Sequence, residues 1–329
     1  MREIKKILQR WAVAVLAIST GLFAAAPAVA QTQNFPSRVV RLIVPFPAGG
    51  ATDTLARHIA EKLSERWKQP VIIENKPGAN TMIGTDAVAK APPDGHTLGI
   101  VTGSHVTNPL LFSKMPYDSL KDLTGVMMLT RFHMALYAAP SFPASSPVEL
   151  IALAKKEPGR VAYASATTQS YLGMELMNAM AGTKMQYVPY KGSSQALADL
   201  LGGHVQLMID PVLQSTLDHV KAGKLKLIGT LGARSSELTP GVPVLATAVP
   251  AYEFSGVFGL VAAGATQPAL VRRIRDDFVA VLNLPDVAQR VRDIGQELVG
   301  STPEEYNAYI QAETKKWVPV VKATGAKLD

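Results

Sequence analysis

The chain of 329 residues contains no cysteine. This absence excludes disulfide bonds, catalysis by a thiolate and metal sites built on cysteine. Aromatic residues are scarce, at 6% of the chain, and charged residues make up 18%. Together with a hydrophobic share of 47%, this composition is typical of an ordinary globular α/β protein.

The sequence also lacks the features of a nucleic-acid-binding surface. The formal net charge is +7, and part of it comes from the first 30 residues. The other basic residues are scattered, without long basic runs or interleaved aromatic residues. We therefore expect no nucleic-acid partner.

Enzyme signatures are equally scarce. There is no G-x-G fingerprint, no phosphate-binding loop with its lysine and no G-x-S-x-G elbow. The six histidines include no H-E-x-x-H motif and no close pair with metal-ligand spacing. Adjacent Ser104 and His105 are the best hint of a hydrolase, but neighbouring residues at a strand end point in opposite directions. We predict no enzyme activity, no cofactor and no metal.

The first 30 residues have the three-part pattern of a secretory signal peptide. A basic start precedes an apolar run at Trp11–Leu22 and a small-residue exit at Ala28–Ala30. A membrane anchor is the alternative, but the apolar run is short and Ser19–Gly21 interrupt it. We expect cleavage after Ala30 and a periplasmic mature chain, soluble because no later segment has 18 consecutive apolar residues.

Strand-like and helical segments alternate in two series, which implies parallel strands with right-handed crossovers. The first series has strands at 39–46, 71–74 and 97–102, and helices at 52–67 and 84–91. The second has strands at 161–164, 186–189, 205–209 and 225–231, and helices at 150–156, 171–180 and 194–201. Three helical segments, 268–282, 286–294 and 303–321, end the chain.

Two long apolar stretches, 123–139 and 254–262, predict passages between two lobes. We predict a signal peptide at 1–30, a first lobe at 31–134 and 257–329, and a second lobe at 135–256. The predicted ligand cleft lies between the carboxyl ends of both sets of strands. Its loops are expected at 45–52, 102–108, 165–170 and 190–194, with Asp210 at the tip of a strand.

The stretch that follows the first strand predicts an anion site. Gly49 and Gly50 allow close backbone approach, and the next helix offers first-turn amides and its dipole. The alternative is a tight turn in which Asp53 caps the helix. In the second lobe, the hydroxyls at Ser165–Ser170 suit a carboxylate oxygen, although N-capping needs only one of them. Asp210 can accept from a ligand donor or cap a loop before Pro211.

Several segments carry a family resemblance. The first lobe contains FPSRVVRLIVPFPAGG at 35–50, TDTLAR at 52–57, VIIENKPGA at 71–79 and IGTDAVAKAPPDGHTL at 83–98. The second contains VPYKG at 188–192, ALADLLGGHVQLMID at 196–210 and GKLKLIG at 223–229. Over essentially the whole mature chain, the sequence resembles the extracytoplasmic solute receptors of tripartite tricarboxylate transporters, also called Bordetella uptake gene receptors.

The resemblance implies a two-lobed periplasmic binding protein fold of type II, with two crossing strands and the ligand cleft between the lobes. It implies a monomer that captures a small organic acid, a di- or tricarboxylate or an aromatic carboxylate, and delivers it to membrane permease subunits. The predicted ligand-binding residues are Phe46, Pro47, Ala48, Gly49, Gly50, Asn80, Ser104, His105, Ser165, Thr167, Thr168, Ser170, Tyr190 and Asp210.

Three departures from the family pattern concern the identity of the ligand. Asn80-Thr81 stand where the family has a second glycine pair, Tyr171 where a histidine is frequent, and His96 where a tyrosine is common. Two other functions stay open: a periplasmic sensor that presents its ligand to a membrane signalling protein, and a secreted carboxylate hydrolase.

Overall fold

The structure is a computed structural model that describes residues 35–49, 51–190, 192–235 and 237–327. Residues 38–329 form one compact unit, and residues 1–37 form a separate unit in which 35–37 are described. The predicted signal peptide and its cleavage site lie outside the described residues. Within the described ranges, no helix combines the length and hydrophobicity that a membrane span requires.

Ten strands are described. They are β1 (Val40–Val44), β2 (Val71–Asn75), β3 (Thr97–Val101), β4 (Leu123–Ala138), β5 (Ala162–Ser165), β6 (Gln186–Pro189), β7 (Leu207–Pro211), β8 (Lys226–Thr230), β9 (Ser255–Ala263) and β10 (Gln296–Leu298).

Ten α-helices are described along the same ranges. They are α1 (Ala51–Trp67), α2 (Met82–Ala89), α3 (Ser104–Leu111), α4 (Pro147–Lys156), α5 (Thr168–Ala181), α6 (Ser193–Leu201), α7 (Gln214–Lys221), α8 (Pro268–Leu282), α9 (Pro285–Asp293) and α10 (Pro303–Thr324).

The strands are ordered β2-β1-β3-β9-β4-β7-β5-β6, and β8 and β10 also pair with β4. Two parallel groups lie on either side of a central antiparallel pair. In the first lobe β1 pairs in parallel with β2 and β3, and in the second lobe β5 pairs in parallel with β6 and β7. The central strands β9 and β4 are antiparallel to each other and to their outer neighbours β3 and β7.

Strand β4 changes its partner along its length and so connects the lobes. Leu123–His133 pair with β9, and Met134–Ala138 pair with β7. The chain returns at Phe254, whose amide donates to the Leu231 carbonyl at 2.7 Å before β9 begins. These are the two predicted passages between lobes. The predicted lobe limits at 134/135 and 256/257 stay a prediction.

This topology makes the carboxyl ends of the two parallel groups face each other. The last residue of β3, Val101, pairs with Gly259 in the middle of β9, and the last residue of β7, Pro211, pairs with Met134. Both strand ends therefore lie near the middle of β4 and point toward it from opposite sides. A site between them receives loops from both lobes.

The C-terminal helix packs against elements of both lobes. Helix α10 begins with a capping box, in which Thr302 Oγ1 accepts from the Glu305 amide at 3.1 Å and the Glu305 carboxylate accepts from the Thr302 amide at 2.8 Å. Such a cap stabilises a helix start by about 1 kcal/mol. The helix contacts α3, α5 and β4, and buried Trp317 packs edge-on against Phe254 at 6.0 Å.

The structure corrects the secondary structure expected around residues 102–108. This range was predicted as a loop, but α3 begins at Ser104. The pattern obscured the helix because Ser104, Thr107, Asn108 and Pro109 have low helix propensity. Helix α3 is instead held by burial, since five residues of its first turns, 104–108, are all buried. Helix α7 and strand β10 were not expected either, and both are short.

Candidate functional site

A cavity of about 230 Å³ lies where the strand ends of the two lobes face each other. Its lining comes from strand ends, helix starts and the strands that cross between the lobes. The lining residues are Phe46, Thr52, Asn80, Thr81, Thr102, Ser104, Phe132, Met134, Ala166, Thr167, Gln169, Ser170, Ser193, Asp210, Pro211, Phe254 and Phe258.

The cavity brings together part of the predicted site. Six predicted residues line it: Phe46, Asn80, Ser104, Thr167, Ser170 and Asp210. Seven others do not: Pro47, Ala48, Gly49, His105, Ser165, Thr168 and Tyr190. Gly50 lies outside the described residues.

Five helix starts contribute to the lining. Thr52 lies in the first turn of α1, Thr81 is the N-cap of α2, Ser104 begins α3, Thr167 is the N-cap of α5 and Ser193 begins α6. The first amides of a helix lack partners within the helix, and its N-terminus carries partial positive charge. The described lining residues include no lysine or arginine. Helix starts therefore supply the attraction for an anion.

The turn after β1 is closed by Asp53. The buried Asp53 carboxylate accepts from the Gly49 amide at 2.8 Å, from Arg57 Nε at 2.9 Å and from Asn75 Nδ2 at 2.8 Å. Arg57 in particular, with Gly49 and Asn75, lowers the pKa of Asp53 to about 2. Asp53 is therefore ionised at neutral pH and completes a local hydrogen-bond network.

This network corrects the expectation that the Gly49 amide is open to a ligand. Because Asp53 takes that amide, the tight-turn alternative describes Gly49 better. Pro47, Ala48 and Gly49 are exposed, and Gly49 has φ +86°, a conformation that favours glycine. From this turn and the following helix start, Phe46 and Thr52 line the cavity.

Three hydroxyl groups form a chain along the first-lobe wall. Ser104 Oγ lies 2.6 Å from Thr81 Oγ1 and 2.8 Å from Thr102 Oγ1. Next to this chain, Asn80 Nδ2 donates to Asn108 Oδ1 at 2.6 Å, and Asn108 Nδ2 donates to the Asn80 carbonyl at 2.9 Å. Two hydrogen bonds among three hydroxyls use two of their three protons, so the chain keeps one proton for a ligand. Because the chain is already oriented, that donation costs little further side-chain entropy.

The segment that carries two of these side chains has unusual backbone conformations. Ala79, Asn80 and Thr81 have φ of 46°, 49° and 73°. Positive φ is an outlier for a β-branched residue such as Thr81 and costs about 1–3 kcal/mol. The departure from a glycine pair thus places strained, polar side chains on the cavity wall.

The second-lobe loop divides its hydroxyls between two roles. Thr167 Oγ1 caps α5 by accepting from the Ser170 amide at 3.1 Å, and it donates to Ser170 Oγ at 2.8 Å. Buried Ser165 donates to the Thr167 carbonyl at 2.9 Å, so it shapes the loop from behind. Thr167 and Ser170 line the cavity together with Ala166 and Gln169.

Asp210 lies at the end of β7 with its side chain on the cavity wall. It is 7% exposed, and its Oδ1 accepts from Ser193 Oγ at 2.6 Å. Burial raises the pKa of Asp210 to about 6, and the Ser193 hydrogen bond opposes that rise. Tyr190 points elsewhere, since its hydroxyl donates to Asp199 at 2.7 Å.

Apolar side chains form another part of the cavity wall. Phe258 packs edge-on against Phe46 with ring centroids 6.2 Å apart. Its ring is tilted against that of Phe132, with centroids 5.3 Å apart. Phe254 and Met134 extend this wall. The cavity therefore presents a polar surface at the helix starts and an aromatic surface at the crossing strands.

Ser104 and His105 face different cavities. The Ser104 hydroxyl lies in the chain with Thr81 and Thr102, whereas His105 lines a second cavity of about 460 Å³ next to α10. The two residues lie on a helix, where neighbours are about 100° apart. Burial lowers the pKa of His105 to about 4. The two residues thus form no nucleophile–base pair, and among the described residues no three His, Asp or Glu side chains could hold a metal ion.

Sequence reasoning missed most of the apolar wall. Phe132 and Met134 are two residues apart on β4, and Phe254 and Phe258 are four residues apart around the start of β9. Alternation along a strand puts such residues on one face. Applied to the two predicted passages, this alternation would have found the aromatic wall. Gln169 lies within a predicted cleft loop, but it is not among the predicted ligand-binding residues.

Comparisons with known proteins give the family of the chain. A family model described as "Tripartite tricarboxylate transporter family receptor" matches residues 55–326. The chain belongs to this family. Its predicted membership is confirmed, and the family is one of solute receptors, which are not enzymes.

Relatives of this receptor family cover nearly the whole chain. Protein BugT of Bordetella pertussis is 35% identical over 309 residues, which span 92% of this chain and 94% of BugT. The structure of R. palustris Rpa4515 with adipate has 34% identity and a TM-score of 0.75, over 89% of this chain and 100% of that chain. MatC from Rhodopseudomonas palustris with bound malate has 30% identity and a TM-score of 0.72, over 87% and 100%. The predicted two-lobed periplasmic binding protein fold is confirmed.

Proposed function

We propose that this chain is a periplasmic receptor that captures a small organic acid in the cavity between its lobes. The observation that carries the proposal is the convergence of five helix starts on one cavity whose described lining has no basic side chain. A carboxylate suits neutral donors and helix N-termini, each of which contributes about 0.3–1 kcal/mol through its dipole. The adipate and malate held by two related structures support an organic acid as the ligand.

The carboxylate is held from both lobes in this proposal. From the first lobe, one hydroxyl of the chain formed by Thr81, Ser104 and Thr102 donates to the carboxylate. From the second lobe, Ser170 donates, because its oxygen accepts from Thr167 and its own proton stays available. A ligand that contacts both lobes stabilises their closed arrangement, because it binds that arrangement more tightly than an open one. The remainder of the ligand lies against the aromatic wall.

Delivery to membrane permease subunits is the second part of the proposal. It rests on the family, whose description is that of a transporter receptor. The chain acts as an exported monomer after removal of residues 1–30, and it releases its ligand to the permease unchanged. Loss of uptake of the identified acid in cells without this receptor tests the delivery.

A thermal-shift screen of organic acids on the chain from Gln31 onward tests capture. A ligand at a hundred times its dissociation constant stabilises the folded state by about 2.7 kcal/mol. Because Ser170 donates to a charged group in this proposal, Ser170→Ala should weaken binding of the best acid by about 1.5–3 kcal/mol, roughly ten- to a hundredfold in affinity. Exposed Ser194, which does not line the cavity, provides the control Ser194→Ala.

Three results would contradict the proposal. They are the absence of stabilisation by any acid, equal effects of the two serine variants, and conversion of the bound acid to a product. Proton NMR of the acid after incubation with the protein detects such conversion directly.

A further inference from the structure

Asp210 is the single ionisable side chain among the described residues that line the cavity. Its carboxylate is buried, with 7% exposure, and Oδ1 accepts a 2.6 Å hydrogen bond from Ser193 Oγ. Ser193 begins α6, so the positive end of that helix also lies beside the carboxylate. Both contacts favour the ionised form of Asp210. Among the described residues, no cationic side chain pairs with this buried carboxylate, so an opposite charge does not offset its burial there.

The polar lining of the cavity therefore has two parts with opposite preferences. The helix starts of α2, α3 and α5, with Thr81, Ser104 and Thr167, attract a carboxylate. Asp210 repels a second carboxylate and attracts a positive nitrogen, because like charges repel strongly in a desolvated site whereas an opposite charge offsets the burial of both. An acid with two carboxylates supplies no positive charge to pair with the buried Asp210 carboxylate.

The apolar wall sets the chemistry of the remainder of the ligand. Phe258 packs against both Phe46 and Phe132, and the three side chains offer no hydrogen-bond donor or acceptor. Hydroxyl or carboxylate groups in the middle of a ligand would lose their hydration there without replacement. An aliphatic or aromatic middle loses nothing by facing this wall.

We propose that the ligand is a zwitterionic monocarboxylate, whose carboxylate lies at the helix starts, whose protonated nitrogen pairs with Asp210 and whose apolar middle packs on the aromatic wall. This inference rests on the proposed capture of an organic acid and selects one class of acid. In this proposal, Asp210 is the residue that determines which acids bind.

Calorimetric titration with two matched sets of acids tests the inference. One set is 6-aminohexanoate, hexanoate and adipate, and the other is 4-(aminomethyl)benzoate, 4-methylbenzoate and terephthalate. Each set keeps one skeleton and changes one end from cationic to neutral to anionic. We expect the amino acid of at least one set to bind about tenfold or more tightly than its two relatives.

The variant Asp210→Asn should remove this preference. The amino acid should lose about tenfold or more in affinity, while the neutral-ended acid is unchanged or binds more tightly. Asp199→Asn is the control, because Asp199 lies on α6 but accepts from Tyr190 outside the cavity lining. The order of affinities of the six acids for the wild-type protein tests the inference by itself. A folding defect in Asp210→Asn would therefore leave this test intact.

Two outcomes would overturn the inference, and they can be told apart. Tightest binding of the dicarboxylate in both sets, with loss of that binding in Asp210→Asn, would mean that Asp210 donates a proton to a second carboxyl group. Capture of organic acids would then still stand. Binding of none of the six acids, with none found in the wider screen, would overturn the proposed function as well.

Discussion

Gln169 lies against the backbone of Gly103, and the two residues belong to different lobes. A Cβ atom built on Gly103 would collide with the Gln169 side-chain amide. Gly103 stands between Thr102 and Ser104, which line the cavity, and Gln169 lines it from α5. The Gln169 side chain can therefore pack this closely against the first lobe because Gly103 has no side chain.

We predict that Gly103→Ala weakens ligand binding and leaves the unliganded protein stable. Gly103 has φ −56°, which alanine adopts freely, and the amide of Gln169 can rotate away at small cost. The displaced amide no longer faces the ligand, and loss of one hydrogen bond costs about 0.5–1.5 kcal/mol, roughly two- to tenfold in affinity.

The double variant Gly103→Ala/Gln169→Ala separates this mechanism from others. Both changes act on one amide, so the double variant should bind as Gln169→Ala does. Calorimetry with the best acid measures all three. Additive losses would mean that Gly103 acts independently of Gln169.

Asp53 should make the stability of the first lobe sensitive to acid. Its pKa is lowered to about 2 in the folded state, so its contribution is present above its ordinary pKa of about 4. This contribution is lost as the pH falls through that range toward 2. At neutral pH, Asp53→Asn should lower the free energy of unfolding by about 1–3 kcal/mol, because an amide accepts fewer hydrogen bonds than a carboxylate.

Asp86→Asn is a matched comparison for Asp53. Asp86 on α2 pairs with Lys90, which lies one turn later, just after the helix ends. Pairs of this kind contribute about 0.3–0.5 kcal/mol to the free energy of unfolding. Chemical denaturation at several pH values measures both variants. Equal losses at neutral pH would show that the network at Gly49 does not stabilise the fold.

Asp210 should have the opposite pH dependence. Burial raises its pKa to about 6, so the folded state takes up a proton more readily than the unfolded chain. Ionisation of Asp210 therefore lowers the free energy of unfolding. This destabilisation is absent below a pH of about 4, grows as the pH rises, and is complete above a pH of about 6. Asp210→Asn should thus stabilise the unliganded protein by about 1–3 kcal/mol at neutral pH and have little effect near pH of about 4.

The same titration should affect binding. Protonation of Asp210 removes the charge that pairs with a positive nitrogen, so the affinity for an amino-carboxylic acid should fall below pH of about 6. Tyr137 on β4 is a titratable neighbour that interacts with Asp210, and burial raises its pKa, so it stays neutral throughout. Titrations across this range check the prediction. A pH-independent affinity would argue against a role for Asp210 in binding.

The sequence was sufficient to predict the two-lobed fold but not the direction of individual side chains. The apolar runs at 39–46 and 123–139 predicted β1 and β4 closely, since long buried strands have a strong signal. Ser165 and Ser170 belong to one predicted loop. Which of the two faces the cavity depends on the hydrogen bond from Ser165 to the Thr167 carbonyl, a local closure that composition does not encode.

The Gly49 turn had two interpretations for a similar reason. A glycine-rich turn before a helix fits both a ligand site and a capped turn. The position of Asp53 decided between them, because its carboxylate accepts from Gly49, Arg57 and Asn75 together. Asn75 comes from the end of β2, and a contact across strands cannot be read from spacing alone.

The most direct test of capture between the lobes is a crystal structure of the chain with the tightest-binding acid from the screen. We predict that the carboxylate lies within about 2.7–3.2 Å of donors from both lobes, with Thr81 or Ser104 on one side and Thr167 or Ser170 on the other. An acid bound outside this cavity, or held by one lobe alone, would contradict the account.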